Sequence, residues 1–226
     1  MNIEPKRMKS IYNNTYLDKP KEYFIECIKL LPEFDTLIDI GCANGSFLKY
    51  VNYIYPKTNL IGIDCNDYNV GDKCYKFISA DFIKNQININ KSEIITCMGV
   101  LSGYNDIDIF LKNLLKLLKK NGTLIIFDNI NYIDLDFNIK YRQGGDINNE
   151  FSDRYYSYWY SKKTFQKLAE KYNLNVEFIP FEIPFEIPKT DNYGRAYTQN
   201  IKNTYKQFVY NDFPLNFHFI KYTFKS

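Results

Sequence analysis

Between residues 37 and 127, short apolar runs alternate with segments of helical periodicity, and this alternation constrains the fold more than any other feature. The runs are Leu37–Ile40, Leu60–Ile63, Tyr75–Ser79, Glu93–Cys97 and Thr123–Phe127, each short enough for one strand. A helix is expected from about Ser46, with Phe47, Leu48, Val51 and Ile54 facing inward. In the next one Ile107, Phe110, Leu111, Leu114, Leu115 and Leu118 recur at three- and four-residue steps, and Asn121-Gly122 is expected to close it. An earlier helix is expected from near Asp18, with Pro20 in its first turn and Phe24, Ile28 and Leu31 on one face. Strands that alternate with helices pair in parallel, because right-handed crossovers lay the helices on both faces of the sheet. The expectation is therefore an α/β protein, a single doubly wound domain whose ligand lies across the carboxyl ends of the strands.

Beyond Asp128 the regular pattern breaks. Residues 129–160 read as a long polar and aromatic irregular segment. Ser161 then caps a helix to about Tyr172, and Leu174–Phe181 form a sixth strand. Residues 182–214 read as a second irregular segment, and Phe217–Phe224 close the chain as an alternating strand. Loops this long in a compact domain commonly serve binding, which makes both segments acceptor-side insertions. The aromatics from Tyr155 to Tyr160 suit a pocket lining, an edge strand or a homodimer contact.

The chemistry is written at the strand ends. Asp39 interrupts a run that should be buried on both faces, a costly place for a carboxylate unless something pairs with it. Gly41-Cys42-Ala43-Asn44-Gly45 follows, a tight turn that brings backbone close to a ligand at a helix N-terminus. Asp64 closes the second strand, where a carboxylate can take both hydroxyls of a ribose. Asp81-Phe82 follows the third, with an acceptor for an exocyclic amine and a flat apolar wall for a base. Together they describe a pocket for an adenosine carrying a cationic amino-acid tail. A nicotinamide site is the rival, but its G-x-G-x-x-G turn would need glycine where Ala43 and Ser46 stand.

On these residues the chain resembles the class I S-adenosylmethionine-dependent methyltransferases. Ile38-Asp39-Ile40-Gly41-Cys42-Ala43-Asn44-Gly45 is similar to their first motif, Ile61-Gly62-Ile63-Asp64 to the second, and Ala80-Asp81-Phe82 to the adenine-contacting one. Thr96-Cys97-Met98-Gly99-Val100-Leu101 falls on the fourth strand, near the methionine end of the ligand. The resemblance implies a mostly parallel, seven-stranded Rossmann-type sheet with an antiparallel last strand. It also implies S-adenosylmethionine as cofactor, S-adenosylhomocysteine as product, and Asp39, Gly41, Cys42, Ala43, Gly45, Asp64, Cys65, Asp81, Phe82, Met98 and Gly99 around the cofactor. Ala43 stands where many members carry glycine, and it fits if the backbone there keeps a negative φ. Residues 1–33 would form an N-terminal helix and lid, and residues 34–128 the cofactor core. Tyr193–Thr198 and Pro214–Phe217 resemble, more loosely, a bacterial subgroup encoded with surface-polysaccharide biosynthesis. That likeness implies O-methylation of a capsule or lipopolysaccharide precursor.

Methyl transfer from a sulfonium needs a base only when the acceptor must lose a proton. The candidates are Asp128, Tyr104 and His218, the last in the closing strand where a structural or surface role is the simpler reading. Asp128-Asn129 stands where catechol-type enzymes hold Mg²⁺, but Cys97, Met98 and Gly99 replace the second acid, and no metal is expected. Only four arginines occur, and Arg142, Arg154 and Arg195 fall in the irregular segments. A planar bidentate donor is hard to replace by Lys where an anion is gripped, so these three, with Tyr16, are the candidates for binding an anionic acceptor. A surface ion pair explains the arginines equally well. A protein that binds the cofactor without catalysis, or acts on an unrelated metabolite, is the functional alternative.

Composition narrows the partners. A net charge of +3 is small for a nucleic-acid binder. Five cysteines without C-x-x-C spacing argue for reduced thiols and a cytoplasmic location. No stretch reaches membrane-spanning length, and no apolar leader opens the chain.

Overall fold

The structure, a computed structural model, describes residues 21–66, 74–141, 152–183, 200–201 and 216–225. Five parallel strands form as expected, with a helix between the first two and another between the last two: β1 (Thr36–Ile40), β2 (Asn59–Asp64), β3 (Lys76–Ser79), β4 (Ser92–Met98) and β5 (Leu118–Asn131). After β6 (Phe137–Tyr141) and β7 (Ser152–Ser161) come β8 (Leu174–Pro180), the short pair β9 (Glu182–Ile183) and β10 (Asn200–Ile201), and β11 (Phe217–Phe224). The helices are α1 (Glu22–Leu30), α2 (Ser46–Ile54), α3 (Ile107–Leu117) and α4 (Lys162–Lys171). The main path of the sheet runs β3-β2-β1-β4-β5-β11-β8, with β11 antiparallel to both neighbours. This is the doubly wound, mostly parallel sheet with an antiparallel last strand that the sequence predicts.

Period-two alternation assigns each strand residue to one of two cores. Ile38, Ile40, Ile95, Leu124, Ile126 and Ile220 pack on the α3 and α4 side. Leu37, Ile94, Ile125, Phe127 and Phe219 pack on the α1 and α2 side. Leu37, Ile38 and Ile40 are at most 1% exposed, and each such side chain stabilises the fold by about 1.5–3 kcal/mol, an upper estimate. Ser161 caps α4 as expected, its hydroxyl accepting from the Thr164 amide at 3.2 Å.

Four expectations are corrected. Residues 129–160 hold regular structure where they are described: β6 and β7 pair antiparallel, and β7 joins the end of β5 in parallel at Ile130–Tyr160. The alternating aromatics were a strand signal that the polar composition obscured. Helix α3 stops at Leu117, because Leu118 is already extended and pairs with Ser92. Gly122 therefore caps no helix; it serves a close approach of strands, since an added Cβ would lie 2.8 Å from the Glu93 carbonyl oxygen. Helix α1 begins at Glu22 behind an extended Lys21, so Pro20 lies ahead of its first turn. Ile54, at the last position of α2, is 40% exposed because the helix there has run past the sheet edge.

Candidate functional site

Asp39 sits on an interior strand, 4% exposed, one residue before β1 ends. Thr96 stands beside it in register on β4 and donates its hydroxyl to Asp39 Oδ1 at 2.7 Å. Among the described residues this is the one hydrogen bond to that carboxylate. Burial pushes its pKa up to about 7; the Thr96 hydroxyl opposes the rise and Asp64 adds to it. The following turn places Gly41, Ala43 and Gly45 at φ values of 71°, 49° and 72°. Ala43 therefore does not keep a negative φ, and its left-handed backbone carries strain of about 1–2 kcal/mol. The turn is held by the Ala43 amide donating to Asp64 Oδ2 at 2.9 Å and the Gly41 amide donating to the Ile63 carbonyl at 2.7 Å. Asn44 Oδ1 accepts from the Ser46 amide and hydroxyl, so the chain enters α2 with that N-terminus over the site.

A cavity opens against this turn, walled by Asp39, Gly41, Asn44, Met98, Lys21 and Tyr23. Lys21 Nζ donates to the Tyr23 hydroxyl at 2.9 Å, and the Tyr23 ring stacks on Phe127 with centroids 4.7 Å apart. An acid on one wall and an ammonium on another suit a zwitterionic amino-acid group. Sequence reasoning missed Lys21, Tyr23 and Thr96. Thr96, a hydroxyl in a buried run at the register of Asp39, was the one that left a signal; nothing local marks the other two.

Asp64 is 8% exposed, and Oδ1 also accepts from the Asn66 amide at 2.9 Å. Oδ1 takes a second, longer bond from the Asn66 side-chain amide at 3.5 Å, while Oδ2, with the Ala43 amide as donor, retains a lone pair for a ligand. Asp81 Oδ1 accepts from the amides of Ile83 and Lys84 at 3.0 and 3.1 Å. Burial would raise the Asp81 carboxyl, but the bonds from Lys84 and Ile83 outweigh it and hold its pKa below the ordinary value. Cys65 lies in the field of both acids: burial raises its thiol first, then Asp64 and Asp81. Burial, then Asp39 and Asp64, raises the Cys42 thiol, and the Ala43 amide donates to Asp64, so these two carboxylates flank the turn. Phe82 is 5% exposed and packs edge-on against Phe110 at 5.7 Å. Its ring is mostly part of the core beneath the site, which corrects the expectation of an open wall.

At the end of β4, Gly99 has φ 68°, and a Cβ built there would meet nothing within 4 Å. Asp128, at the end of β5, is also 4% exposed, but its oxygens accept from the amides of Asn129 at 2.8 Å and Ser102 at 3.2 Å. Burial pushes its pKa up to about 6, with those backbone donors holding it back. Tyr104 packs on Phe110, and burial, then Cys97 and Asp81, raises its phenol well above the ordinary range. A phenol so raised stays protonated near neutral pH. His218 is 2% exposed, so it is no surface residue; it stands opposite Asp128 on β11, and Tyr132 hydrogen-bonds to its Nε2. Tyr16, Arg142 and Arg195 lie outside the described residues, and Arg154 is described in backbone alone. Among the described residues no group of three or more His, Cys, Asp or Glu is placed to hold a metal ion.

A family described as a methyltransferase domain matches residues 11–178. The ubiquinone biosynthesis O-methyltransferase of Pelagibacter ubique (strain HTCC1062) is 30% identical over 139 residues, 55% of this chain and 53% of that protein. The chain thus spans about half the length of the curated relative it matches. Among solved structures, the putative methyltransferase of Haloferax volcanii in complex with its Trm112 activator has a TM-score of 0.62 at 13% identity, over 97% of this chain and 93% of that one. A S-adenosylmethionine-dependent methyltransferase from Clostridium acetobutylicum ATCC 824 has 0.56 at 14%, over 97% and 99%. The plantazolicin methyltransferase BpumL, in complex with a pentazolic desmethylPZN analog and SAH, has 0.55 at 14%, over 98% and 92%. At such identities the structures speak for the fold.

Proposed function

The chain belongs to the methyltransferase-domain family, and from that premise we propose that it transfers the methyl group of S-adenosylmethionine to an oxygen of a small acceptor. The observation that carries this reading is the buried Asp39 beside the Gly41–Gly45 turn, which Asp64 holds through the Ala43 amide, in the wall of a cavity that also has Lys21 in its lining. The residues fit the cofactor. Asp39, buried and with one donor, would take the ammonium of the amino-acid tail, and Lys21 its carboxylate. Asp64 would take the ribose hydroxyls and Asp81 the exocyclic amine of the base. The open space beside Gly99 leaves room for a ligand to lie against β4. When bound, the cofactor supplies a methyl group on a sulfonium, a good leaving group, so alignment and exclusion of water can supply much of the catalysis.

Transfer to oxygen is supported by the printed activity of the Pelagibacter relative. An anionic capsule or lipopolysaccharide precursor is supported by the sequence alone, through Arg142, Arg154 and Arg195. A cytoplasmic location is supported by five free thiols. No helix of the described residues is long and apolar enough to cross a membrane.

Calorimetric titration tests the reading. S-adenosylmethionine and S-adenosylhomocysteine should both bind one site per chain, and a nicotinamide dinucleotide should not. Absence of heat with both sulfur compounds would sink the proposal. Single-turnover release of labelled methyl to an acceptor separates an enzyme from a protein that only binds the cofactor.

A further inference from the structure

A second group of polar side chains meets where β5 ends and β11 begins, apart from the cofactor cavity. His218 Nδ1 lies 3.0 Å from the Asn216 carbonyl oxygen, which can only accept. The ring proton is thereby assigned to Nδ1, leaving a lone pair on Nε2, and the Tyr132 hydroxyl donates to it. The imidazole is buried, whereas Tyr132 is 54% exposed, so the pair reaches from the core to the surface. The charged groups facing His218 are Asp128, opposite in register on β5, and Lys162 of α4; β8 presents Pro180. Burial, then Lys162, holds the imidazole pKa below its ordinary value, so the ring is neutral at pH 7.

The segment carrying Tyr132 is tied down at several points. The Asn131 amide donates to the Leu135 carbonyl at 2.7 Å, and its oxygen accepts from the Ile133 amide at 3.1 Å. Asp136 accepts from the Ser161 amide at 2.6 Å and from the Thr164 hydroxyl, and Lys163 pairs with Asp134 at 2.7 Å. Lys162 stands in the first turn of α4, where a cation opposes the helix dipole, and has no carboxylate in salt-bridge range among the described residues. Its ammonium instead lies 5.8 Å from the centre of the Tyr132 ring, placed to favour negative charge there.

We propose that Tyr132 and His218 form a phenol–imidazole relay that receives the proton of a phenol-type acceptor hydroxyl, an inference that rests on the methyl-transfer reading above. The acceptor oxygen bonds to the methyl carbon as the carbon–sulfur bond breaks and its electron pair stays on sulfur. The acceptor proton passes to the Tyr132 oxygen while the Tyr132 proton passes to His218 Nε2, and the imidazolium later releases its proton to water. Tyr132 is the group that touches the acceptor; His218 acts through it. Acidity selects the acceptor class. A phenol acceptor ionises near ~10, and burial holds the Tyr132 phenol above that ordinary value. The Tyr132 oxygen is thus basic enough to take a phenol's proton as its own moves to His218. An aliphatic hydroxyl such as a saccharide's, near the ~15.7 of water, would demand far more of so weak a base. The relay thus keeps the methyl-transfer reading but takes a phenol in place of the saccharide precursor. Two strand spacings, roughly 10 Å, separate β11 from β4, and an aromatic acceptor can fill that span.

His218 is the one histidine of the chain, so its ring nitrogens give isolated NMR signals. With S-adenosylhomocysteine bound, catechol should shift the Nε2 signal of the wild type and leave that of Tyr132→Phe unmoved. The same variant should lose about a hundredfold in labelled-methyl transfer from S-adenosylmethionine to catechol. Its S-adenosylhomocysteine isotherm should be unchanged, which also shows that it folds. A wild-type imidazole indifferent to catechol overturns the relay. So does a Tyr132→Phe enzyme that turns over as the wild type does, or a wild type that binds S-adenosylhomocysteine yet methylates no catechol. A wild type that binds neither sulfur compound marks failure of the methyl-transfer reading instead.

Discussion

Asp39 and Asp128 stand near the carboxyl ends of β1 and β5, Asp128 three residues beyond the register of Asp39, and each is 4% exposed. The protein treats them differently. Asp128 receives backbone amides on both oxygens and ties the end of β5 to the turn after β4. Asp39 receives one hydroxyl and faces a cavity. Burying a carboxylate is costly unless its oxygens are satisfied, so the first is a structural clip and the second is held ready for a cation. Burial alone does not mark a functional acid; the shortage of donors does.

The strongest way to break this comparison is Asp39→Asn, which retains an acceptor for Thr96 and removes the charge. We expect cofactor affinity to fall by roughly a hundredfold or more, the scale of an ion pair of about 3 kcal/mol. The ligand-free variant should nevertheless melt higher at pH 8. Ionising a group moved from 3.8 to about 7 costs on the order of 4 kcal/mol there. Loss of affinity without that rise, in a melting experiment, would mean that Asp39 is not strained by burial. Gly41→Ala tests the turn that follows Asp39. Its new Cβ would lie 2.3 Å from Val100 Cγ2 at φ 71°, and denaturant unfolding should show a loss of about 2–3 kcal/mol.

Asp128→Asn is the converse of Asp39→Asn. Its amide nitrogen must face a backbone donor, so stability should fall by about 2 kcal/mol while the cofactor isotherm barely moves. A large drop in affinity instead would place Asp128 in the cofactor site. pH sharpens the same contrast. Because the folded pKa of Asp39 lies above its unfolded value, the native state keeps a proton that the unfolded chain has lost. The ligand-free protein should therefore gain stability as pH falls through about 7 towards the ordinary value of 3.8, and Asp39→Asn should flatten the slope. Asp128 adds the same sign nearer 6, whereas His218, whose pKa is lowered, opposes it below ~6.5. Affinity for the cofactor should decline over the same range, by up to about tenfold per unit below pH 7. The smallest effect is expected at Ala43→Gly, where relief of left-handed strain, less the added chain entropy, stabilises by about 0.5–1 kcal/mol.

The two ends were not equally legible. Around β1 to β3 the chemistry is contiguous in the chain: an acid, a glycine turn and a helix start fall within ten residues. Register then follows from hydrophobic pattern, and Asp39 and Asp64 arrive at one turn. Around β5 the partners are distant. Tyr132 and His218 are 86 residues apart, and neither signals the other. The hairpin of β6 and β7 was hidden because alternation competed with a polar composition, and pairing with β5 settled it. Lys21 and Tyr23 reach the cavity through the packing of α1 on Phe127 and Phe47, which no local pattern encodes.

By itself the sequence determined the layered α/β architecture, the order of strands and helices through β5, and the end of the sheet at which a ligand must lie. These follow from periodicity and turn chemistry, which act over a few residues. The tertiary structure alone decided which buried acid is satisfied, which side chains complete the cavity, and what the histidine touches. Those outcomes depend on donors supplied from strands far away in the chain, and their number is set only when the strands pack.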